Sequence, residues 1–442
     1  MDLTVAELFA GVGGFRVGLN HITEIDSKTG RAVEDGDWDF VWANQYEPST
    51  KSQEAFDCYV KRFGEEHSSN TDINKVDKLN IPDHNLLVGG FPCQDYSVAR
   101  SLSNELGIAG KKGVLFRDIR DTLLAKNPPF ILLENVDRLL KSPSTQRGRD
   151  FAVMLKTLDE IGYNVFWRVI NAGDYGFPQR RRRVFIFGVR KNTKYNKNIS
   201  KLNGSELIKS IIFNKNFPIK IDNRNLKKTD LSLYNDIVDV SDNFKDGKFC
   251  ETGSMVDGLV EHVEFNPIKE PMYTLGDILN ISSQYNPNDL SKYIIRDERL
   301  EKWKYLKGAK RIERVSKTGH TYIYSEGNMA FPDRLDLPAR TMLTSESTMN
   351  RSSHVVYDSS INELRLLTEV EAEMIQLFPP NWTNTMSSRK RYFMMGNALV
   401  TGIISRIELD LKNIILNEPE SDMNETVINQ LNFFNVGTVR ED

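Results

Sequence analysis

The feature that most constrains this chain is an alternation of short apolar runs with amphipathic stretches over residues 1–190. The apolar runs predict strands at Leu3–Phe9, Asp39–Asn44, Asn85–Gly89, Phe130–Glu134, Val165–Asn171 and Arg183–Val189. The amphipathic stretches between them predict helices at Phe15–His21, Ser49–Phe63, Phe116–Leu124 and Phe151–Ile161. Strands that alternate with helices in this way are typical of a doubly wound α/β fold with a mostly parallel sheet.

The α/β rhythm is interrupted in the middle of the chain. From residue 191 the composition becomes rich in lysine and asparagine, and helical periodicity returns only at 366–377 and 387–413. A chain of 442 residues is long enough for two or three domains. We therefore predict a first domain at 1–190, an inserted smaller domain at 191–338, and a return of the chain at 339–442 that completes the first fold.

The formal net charge of −3 hides a strong local asymmetry. Residues 191–230 carry ten lysines and arginines against three acidic residues, and residues 291–320 carry ten against four. A run of four arginines, at 180–183, adds a dense cationic spot. Each block alone could be a solvated surface, but together they indicate a surface that binds a polyanion.

Several classes of protein are excluded. The chain has no apolar run of about 18 residues, which a membrane span requires, and its N-terminus lacks the basic segment of a signal peptide. Its three cysteines, Cys58, Cys93 and Cys250, form no CxxC pair, so we expect neither a disulfide framework nor a metal site. We expect a cytoplasmic protein in which Cys58 and Cys250 are structural.

A glycine-rich turn follows the first predicted strand, in the sequence ELFAGVGGF at 7–15. Glycines allow the backbone to approach a ligand closely, and the helix that follows favours polar or anionic groups at its N-terminus. An acidic residue past the second strand commonly binds ribose hydroxyls, which suits Glu47. Tyr46 offers a flat face for adenine, and Asp72 with Ile73 suits the adenine amino group. These residues predict an adenosine site that requires no diphosphate.

Two further strand ends carry reactive side chains. Cys93 follows the third main strand in the sequence GGFPCQ, where a thiolate can act as a nucleophile, although a lone cysteine is often an inert buried group. Glu134 ends the next apolar strand, so it is either a cap or a catalytic acid. Arg181 and Arg183 have the spacing of residues on one side of a strand, from which both could reach a base or a phosphate.

The sequences FAGVGG, GGFPCQ, ENV, QRRRR and MGNA occur in this order, and they resemble the motifs of the cytosine-5 DNA methyltransferase family. The resemblance covers nearly all of residues 1–190 and about 331–410. It implies the fold of S-adenosylmethionine-dependent methyltransferases, S-adenosyl-L-methionine as the cofactor, and a cytosine flipped out of double-stranded DNA as the substrate. It also implies a prokaryotic or phage restriction-modification enzyme, paired with a restriction endonuclease and monomeric by the family's habit.

The resemblance also assigns roles to residues of this chain. It implies that Cys93 is the nucleophile, Glu134 the glutamate of ENV, and Arg181 and Arg183 the arginines of a QxRxR motif. The residues expected to bind the cofactor are Phe9, Gly11, Val12, Gly13, Gly14, Gln45, Tyr46, Glu47, Asp72, Ile73, Leu115, Asn397 and Ala398. The family usually has a glutamate where this chain has Gln45, so either Gln45 or Glu47 is expected to bind the ribose.

The DNA-binding residues are predicted in two places. Residues 94–112, which include Gln94, Ser97 and Arg100, are predicted to form a loop that closes over the extruded base. Residues 191–338 would be the target-recognition domain, with most base contacts in 291–330, where Arg311 and Arg314 lie. The block at 191–230 is better suited to non-specific attraction of the DNA backbone. None of these motifs indicates the recognised sequence.

Three alternative functions share some of these sequence features. An amino-group methyltransferase is suggested by the sequence NPPF at 127–130, but that motif should follow an apolar strand, and here it precedes one. A transfer RNA cytosine-5 methyltransferase shares the same motifs, but the long basic insert favours duplex DNA. A catalytically inactive DNA-binding regulator is disfavoured because Cys93, Glu134 and Arg183 are all present.

Overall fold

The computed structural model describes residues 1–91, 114–316 and 319–419. Within these ranges, the strands in chain order are β1 (Thr4–Leu8), β2 (Asp39–Asn44), β3 (Ser68–Ser69), β4 (Leu86–Gly90), β5 (Phe130–Val136), β6 (Tyr163–Asn171), β7 (Arg182–Arg190), β8 (Ile219–Ile221), β9 (Lys227–Asp230), β10 (Thr252–Val256), β11 (Leu259–Val263), β12 (Phe265–Pro267), β13 (Lys310–Val315), β14 (Thr321–Glu326), β15 (Val355–Asp358) and β16 (Glu363–Leu366).

The α-helices in the same ranges are α1 (Gly14–Leu19), α2 (Glu54–Phe63), α3 (Val114–Lys126), α4 (Arg149–Glu160), α5 (Lys194–Ile199), α6 (Gly204–Ser210), α7 (Ile212–Asn216), α8 (Ile237–Asn243), α9 (Leu275–Ser282), α10 (Asp297–Lys307), α11 (Glu369–Ile375), α12 (Ser388–Asn397) and α13 (Thr401–Leu416). No helix in the described part of the chain is long and apolar enough to cross a membrane.

A ten-stranded sheet forms the centre of the molecule, in the order β3-β2-β1-β4-β5-β7-β6-β10-β11-β9. The strands from β3 to β5 are parallel, whereas β7 is antiparallel to both β5 and β6. Since β1 lies between β2 and β4, the strand order reverses there, and ligands bind at the carboxyl ends of the strands beside such a reversal. The predicted α/β class with a large central sheet is confirmed.

The sheet is buried on both faces, as alternation along β5 shows. Ile131 and Leu133 belong to the core that contains α3 and α4, whereas Phe130 and Leu132 belong to the core on the other face. Successive side chains of a strand point to opposite faces, so one apolar strand supplies both cores. Helix α13 packs in the second core through Ile404, against residues of β1, β4 and β5.

All six predicted strands are present, and each of their ends lies within two residues of the prediction. The predicted helix at Ser49–Phe63 begins only at Glu54. The reason is local: the side chain of Gln53 accepts a hydrogen bond from the Glu47 N–H (2.8 Å) and donates one to the Glu47 carbonyl (3.0 Å). These bonds hold the residues before α2 in a turn instead of a first helical turn.

Part of the predicted insert at 191–338 shares the central sheet. Strands β10, β11 and β9 continue the sheet beyond β6 through antiparallel pairs. In addition, Phe213 and Phe217 are fully buried in the same core as α13. Strand β8 instead pairs with β12 in a separate two-stranded sheet. After Val263, the described strands of the predicted insert lie outside the central sheet, and β13 and β14 form a hairpin of their own.

Cys58 and Cys250 are both buried. Burial raises the pKa of each thiol to about 11, which makes the thiolate form scarce at neutral pH. Both thiols are thus poor nucleophiles, in agreement with the structural role expected for them.

Candidate active site

The glycine-rich turn lies at the carboxyl end of β1, where the strand order reverses. Gly11 and Gly13 have φ of 56° and 87°, in the left-handed region that glycine adopts without a steric penalty. A Cβ added to Gly11 would have no described atom within 4 Å, whereas one added to Gly13 would lie 2.5 Å from the Phe63 ring. The turn therefore packs closely at Gly13 and leaves its backbone open to a ligand at Gly11.

The late MGNA sequence lies beside this turn. The Trp382 indole N–H donates to the Val12 carbonyl at 2.8 Å. The Leu399 side chain lies 3.3 Å from where a Cβ on Gly14 would stand. Asn397, the last residue of α12, is exposed next to these contacts, and Ala398 caps the helix. The structure therefore brings together the first and last motifs that were predicted to bind the cofactor.

The two candidates for the ribose ligand have different surroundings. Gln45 directly follows β2, and its Oε1 accepts a hydrogen bond from the Gly11 N–H at 2.8 Å. Glu47 is turned toward α2, where its Oε2 accepts from the Ala55 N–H at 3.4 Å and its Oε1 lies 4.0 Å from the Lys390 Nζ. Gln45 is thus bound to the glycine-rich turn, whereas Glu47 is engaged elsewhere.

The remaining predicted cofactor residues lie along the same edge of the sheet. Tyr46 is 37% exposed, which leaves a ring face available for stacking. Asp72 caps a short 3₁₀ helix by accepting from the Asn74 N–H at 3.2 Å. The three apolar residues of this predicted cofactor site belong to one core, in which Ile73 is buried and Phe9 and Leu115 are partly buried.

Glu7, inside β1, is the first residue of the ELFAGVGGF sequence, and the structure makes it electrostatically unusual. It is fully buried and accepts a hydrogen bond from the Tyr59 hydroxyl at 3.2 Å, and its Oε1 has no partner among the described residues. Burial raises the pKa of Glu7 to about 8, against the opposing charge of Arg16. Its burial depends on the packing of α2 over β1, which the sequence did not indicate.

Glu134 lies where two neighbouring strands end. It is 8% exposed and pairs in register with Gly90 of β4, three residues before Cys93. Its Oε2 lies 3.3 Å from where a Cβ on Gly90 would stand, and its Oε1 forms an ion pair with the Arg183 Nε at 2.9 Å. Burial raises the pKa of Glu134, although Arg183 and Arg181 act in the opposite direction. The carboxyl group is thereby biased toward its neutral form.

The surroundings of Arg181 differ from those of Arg183. Arg181 is 1% exposed, and its guanidinium donates to the carbonyls of Met342 (3.0 Å) and Gly396 (2.9 Å). The sequence spacing could not show this, because the residues that supply the two carbonyls lie far along the chain. Arg181 holds the returning chain against β7, and its role in catalysis stays a prediction.

Asn135 is a residue whose part in the site the sequence reasoning missed. Its side-chain amide donates to the Phe91 carbonyl at 2.8 Å. Phe91 is the last described residue before Cys93, and its ring lies against Phe116 with centroids 6.1 Å apart. Asn135 therefore fixes the backbone that leads into the predicted nucleophile. The ENV sequence already contained the signal, but only its glutamate was assigned.

Four predicted site residues lie outside the described residues, namely Cys93, Gln94, Ser97 and Arg100, and so does the predicted loop at 94–112. The described neighbours of Cys93 are Gly90 and Phe91, which lie beside Glu134 and Asn135. The position of the thiol relative to Glu134 therefore stays an expectation from the sequence.

An open pocket of about 470 Å³ is lined in part by Arg183, the partner of Glu134. Four arginines line it: Arg138, Arg180, Arg182 and Arg183. Arg182 also forms ion pairs with Asp137 (3.3 Å) and with Glu251. A pocket with this lining attracts anions.

The predicted DNA-reading arginines lie on the two-stranded hairpin β13–β14. Arg311 and Arg314 are exposed, and the Arg314 guanidinium lies 3.7 Å from the centroid of the Tyr324 ring. Because they are three positions apart in a strand, they point to opposite faces of the hairpin. Arg311 pairs in register with Ser325, whereas Arg314 pairs with Tyr322.

The structure also shows where the NPPF sequence lies, which bears on the alternative of an amino-group methyltransferase. Residues 127–130 connect α3 to β5, so the motif precedes its strand instead of following it. An amino-group methyltransferase site requires the opposite order, and this alternative is excluded.

The fold and the site together define an α/β enzyme of the methyltransferase type, with an open glycine turn at the strand reversal and a buried acid–arginine pair on the adjacent strands. The model of the C-5 cytosine-specific DNA methylase family matches residues 3–413. The chain belongs to this family and is a DNA (cytosine-5)-methyltransferase. The predicted family and class of enzyme are confirmed.

Individual relatives agree with this assignment. The chain is 49% identical to the type II methyltransferase M.Sau3AI of Staphylococcus aureus, over 93% of this chain and 96% of that protein. It is 37% identical to the type II methyltransferase M.NgoBI of Neisseria gonorrhoeae, over 43% of this chain and 51% of that protein. The solved structure of the S. pombe Dnmt2 methyltransferase has a TM-score of 0.54 at 16% identity, over 94% of this chain and all of that one, which supports the fold.

Proposed function

We propose that this enzyme methylates carbon 5 of a cytosine flipped out of a specific duplex DNA sequence, through a covalent adduct on Cys93 and with S-adenosylmethionine as the methyl donor. The observation that carries the proposal is the buried Glu134–Arg183 ion pair beside Gly90, three residues before Cys93. We assign the enzyme to a type II restriction-modification system because its relative over 93% of the chain is named a type II methyltransferase.

The residues at the reversal of strand order fit S-adenosylmethionine. The backbone is open at Gly11, Tyr46 exposes a ring face for adenine, and Gln45 holds an amide group against the turn. Asp72 lies close to the end of β2, because the side-chain amide of Asn44, the last residue of β2, donates to the carbonyl of the neighbouring Thr71 at 2.9 Å. When bound, S-adenosylmethionine supplies an electrophilic sulfonium methyl group.

Carbon 5 of cytosine is a poor nucleophile, and covalent catalysis removes this difficulty. The thiolate of Cys93 adds to carbon 6, and the electron pair of the 5,6 double bond is displaced into the ring. Glu134 in its neutral form donates a hydrogen bond to ring nitrogen 3, and its burial favours that form. Arg183 donates to the oxygen on carbon 2. Carbon 5 thus becomes nucleophilic like the carbon of an enamine.

The second half of the reaction restores the aromatic ring. Carbon 5 would take the methyl group as the methyl–sulfur bond of the bound cofactor breaks, with the sulfur keeping that electron pair as the thioether of S-adenosylhomocysteine. Carbon 5 would then briefly carry both the methyl and its original hydrogen. A base removes that hydrogen as a proton, and the electron pair left on carbon 5 re-forms the 5,6 double bond. The bond between carbon 6 and the Cys93 sulfur breaks, and the thiolate leaves with its own electron pair.

The chemistry requires the cytosine to leave the double helix, because stacked neighbours cover both faces of carbon 6. We assign closure over the extruded base to residues 94–112 and sequence reading to the exposed hairpin β13–β14. A two-stranded ribbon fits the major groove of DNA, and this hairpin carries Arg311 and Arg314 for base edges or phosphates.

The covalent step can be trapped with 5-fluorocytosine, because fluorine cannot leave carbon 5 as a proton does. Bisulfite sequencing of DNA from a host that expresses the enzyme first identifies the target. A duplex with 5-fluorocytosine at that site should then form an adduct with the wild type that survives denaturant. The Cys93→Ser variant should form no adduct and retain less than about 1% of the methyl transfer, since an alcohol is a far weaker nucleophile than a thiolate.

The matched control is Cys250→Ala, which removes a buried thiol outside the site and should keep the adduct. DNA binding by Cys93→Ser should persist, which separates lost chemistry from lost folding. Methyl transfer to transfer RNA with none to duplex DNA would overturn the proposed substrate. Transfer to DNA without any adduct would overturn the covalent mechanism.

A further inference from the structure

The arginines that line the pocket beside Glu134 are not equivalent. Arg183 is paired with Glu134 at 2.9 Å. Arg182 is paired with both Asp137 and Glu251. Two of the four guanidinium groups are therefore already engaged by carboxyl groups of the same protein.

The other two, Arg138 and Arg180, are exposed, and neither guanidinium has an acceptor among the residues that the structure describes. The backbone of both is nevertheless firmly held. The Arg180 N–H donates to the Ala339 carbonyl at 2.8 Å, and the Thr341 hydroxyl donates to the Arg180 carbonyl at 2.6 Å. Arg138 lies in a 3₁₀ helix that is anchored by the buried side chains of Leu139 and Leu140.

The other residues that line the pocket indicate the chemistry of its ligand. Asn171 and Thr341 supply neutral hydrogen-bonding groups, and Val136 and the exposed Leu343 supply apolar surface. Guanidinium groups match the oxygens of a phosphate group, and the apolar side suits the carbon atoms of a sugar. The pocket thus has the chemistry for one phosphodiester with its deoxyribose.

The geometry points to Arg138 and Arg180 as a clamp for the phosphodiester that adjoins the extruded cytosine. This inference rests on the proposed function, in which Glu134 and Arg183 hold the base itself. Since Arg183 lines the pocket and pairs with Glu134, we expect a nucleotide whose base contacts Glu134 to bring its own backbone within reach of Arg138 and Arg180. Their binding to phosphate stabilises the flipped state and opposes return of the base to the stack.

The test combines single-site variants with single neutral linkages in the DNA. Arg138→Gln and Arg180→Gln are compared with the wild type in fluorescence anisotropy on the mapped target duplex at several salt concentrations. Each variant should bind about tenfold more weakly, and the slope of log K against log salt should fall by about one. Arg31→Gln, an exposed arginine on the loop before β2, is the matched control and should bind as the wild type does.

Methylphosphonate linkages next to the target cytosine then locate the contact. One such linkage should weaken wild-type binding about tenfold, yet it should have no further effect on Arg138→Gln or Arg180→Gln. The clamp would be overturned if the losses of affinity caused by the methylphosphonate and by each arginine variant were fully additive. It would also be overturned if the variants had the affinity and salt slope of the wild type. Binding of inorganic pyrophosphate that requires Arg138, with no methylphosphonate effect, would overturn it in favour of a site for free anions.

Failure of the clamp is distinguishable from failure of the proposed function. If the clamp is wrong, the wild type and the two variants still form the 5-fluorocytosine adduct with equal rates. If the proposed function is wrong, the wild type itself forms none.

Discussion

The carboxyl edge of the central sheet and the hairpin β13–β14 use charge in opposite ways. At the sheet edge, Glu134 and Arg181 are 8% and 1% exposed, and each is held by partners from other segments. On the hairpin, Arg311 and Arg314 are exposed on a separate two-stranded sheet. The first region fixes a few charged groups in the protein interior, and the second presents them to solvent.

The difference follows from what each region has to recognise. A transition state needs groups held in fixed positions with shifted pKa values, and burial provides both. A DNA groove needs groups that can leave water and meet base edges, and an exposed ribbon provides those. Substitutions at the sheet edge should therefore change rate strongly, whereas substitutions on the hairpin should change the choice of sequence.

The largest expected effect is at Glu134. Glu134→Gln keeps the shape of the side chain but removes the acid, so the rate of methyl transfer should fall roughly 100-fold or more, with little change in cofactor affinity. Because the raised pKa keeps the wild-type carboxyl neutral to higher pH, the wild-type rate should fall as pH rises through that pKa, and the variant should lose this dependence. Single-turnover transfer with a tritiated cofactor measures both.

The control is Glu251→Gln, which changes another carboxylate that pairs with an arginine of β7, but at the half-exposed rim of the sheet. Its rate should stay within about twofold of the wild type, since exposed ion pairs contribute little. If the two glutamine variants lost rate equally, burial would not be what distinguishes the sheet edge, and Glu134 would be a structural cap.

The comparison also explains what could be predicted from the sequence. The strands could be predicted because their apolar runs are bounded by turns, and candidate site residues could be proposed because they follow or end predicted strands. The carbonyl partners of Arg181 and the hydrogen bond between Gln45 and Gly11 could not, because each joins segments that only the tertiary fold brings together.

The extent of the insert was harder to predict for a related reason. Residues 191–263 have the polar composition of a separate domain, yet β9, β10 and β11 extend the central sheet. These strands lie on the antiparallel side of the sheet, where the α/β rhythm that marks a parallel core is absent. Composition indicates solvent exposure, and it does not reveal which sheet a strand joins.

The hairpin should show an intermediate effect, on discrimination instead of rate. Since Arg311 and Arg314 point to opposite faces, we expect only one of the two alanine variants to lose a base contact, at about 1–3 kcal/mol of discrimination between the target and single-mismatch duplexes. The other should weaken binding to all duplexes alike. Competition binding with the mapped target and its mismatched versions measures this difference.

A charge reversal in the first basic block is the matched control. Lys220→Glu, on the exposed side of β8, should lower affinity for every duplex similarly and should not alter discrimination. Equal loss of discrimination in both arginine variants would contradict the opposite-face geometry. No loss in either would move sequence reading away from the hairpin.

The smallest expected effect is on cofactor affinity, and it distinguishes Gln45 from Glu47 as the residue that binds the ribose. Gln45→Ala removes the acceptor of the Gly11 N–H and should weaken cofactor binding by about 1 kcal/mol, or roughly fivefold in Kd. Glu47→Ala should change the Kd less than about twofold, because its carboxylate already faces α2 and Lys390. Calorimetric titration of S-adenosylmethionine measures both. Gln45→Glu keeps an acceptor for Gly11 and should bind like the wild type, whereas a larger loss in Glu47→Ala than in Gln45→Ala would assign the ribose to Glu47.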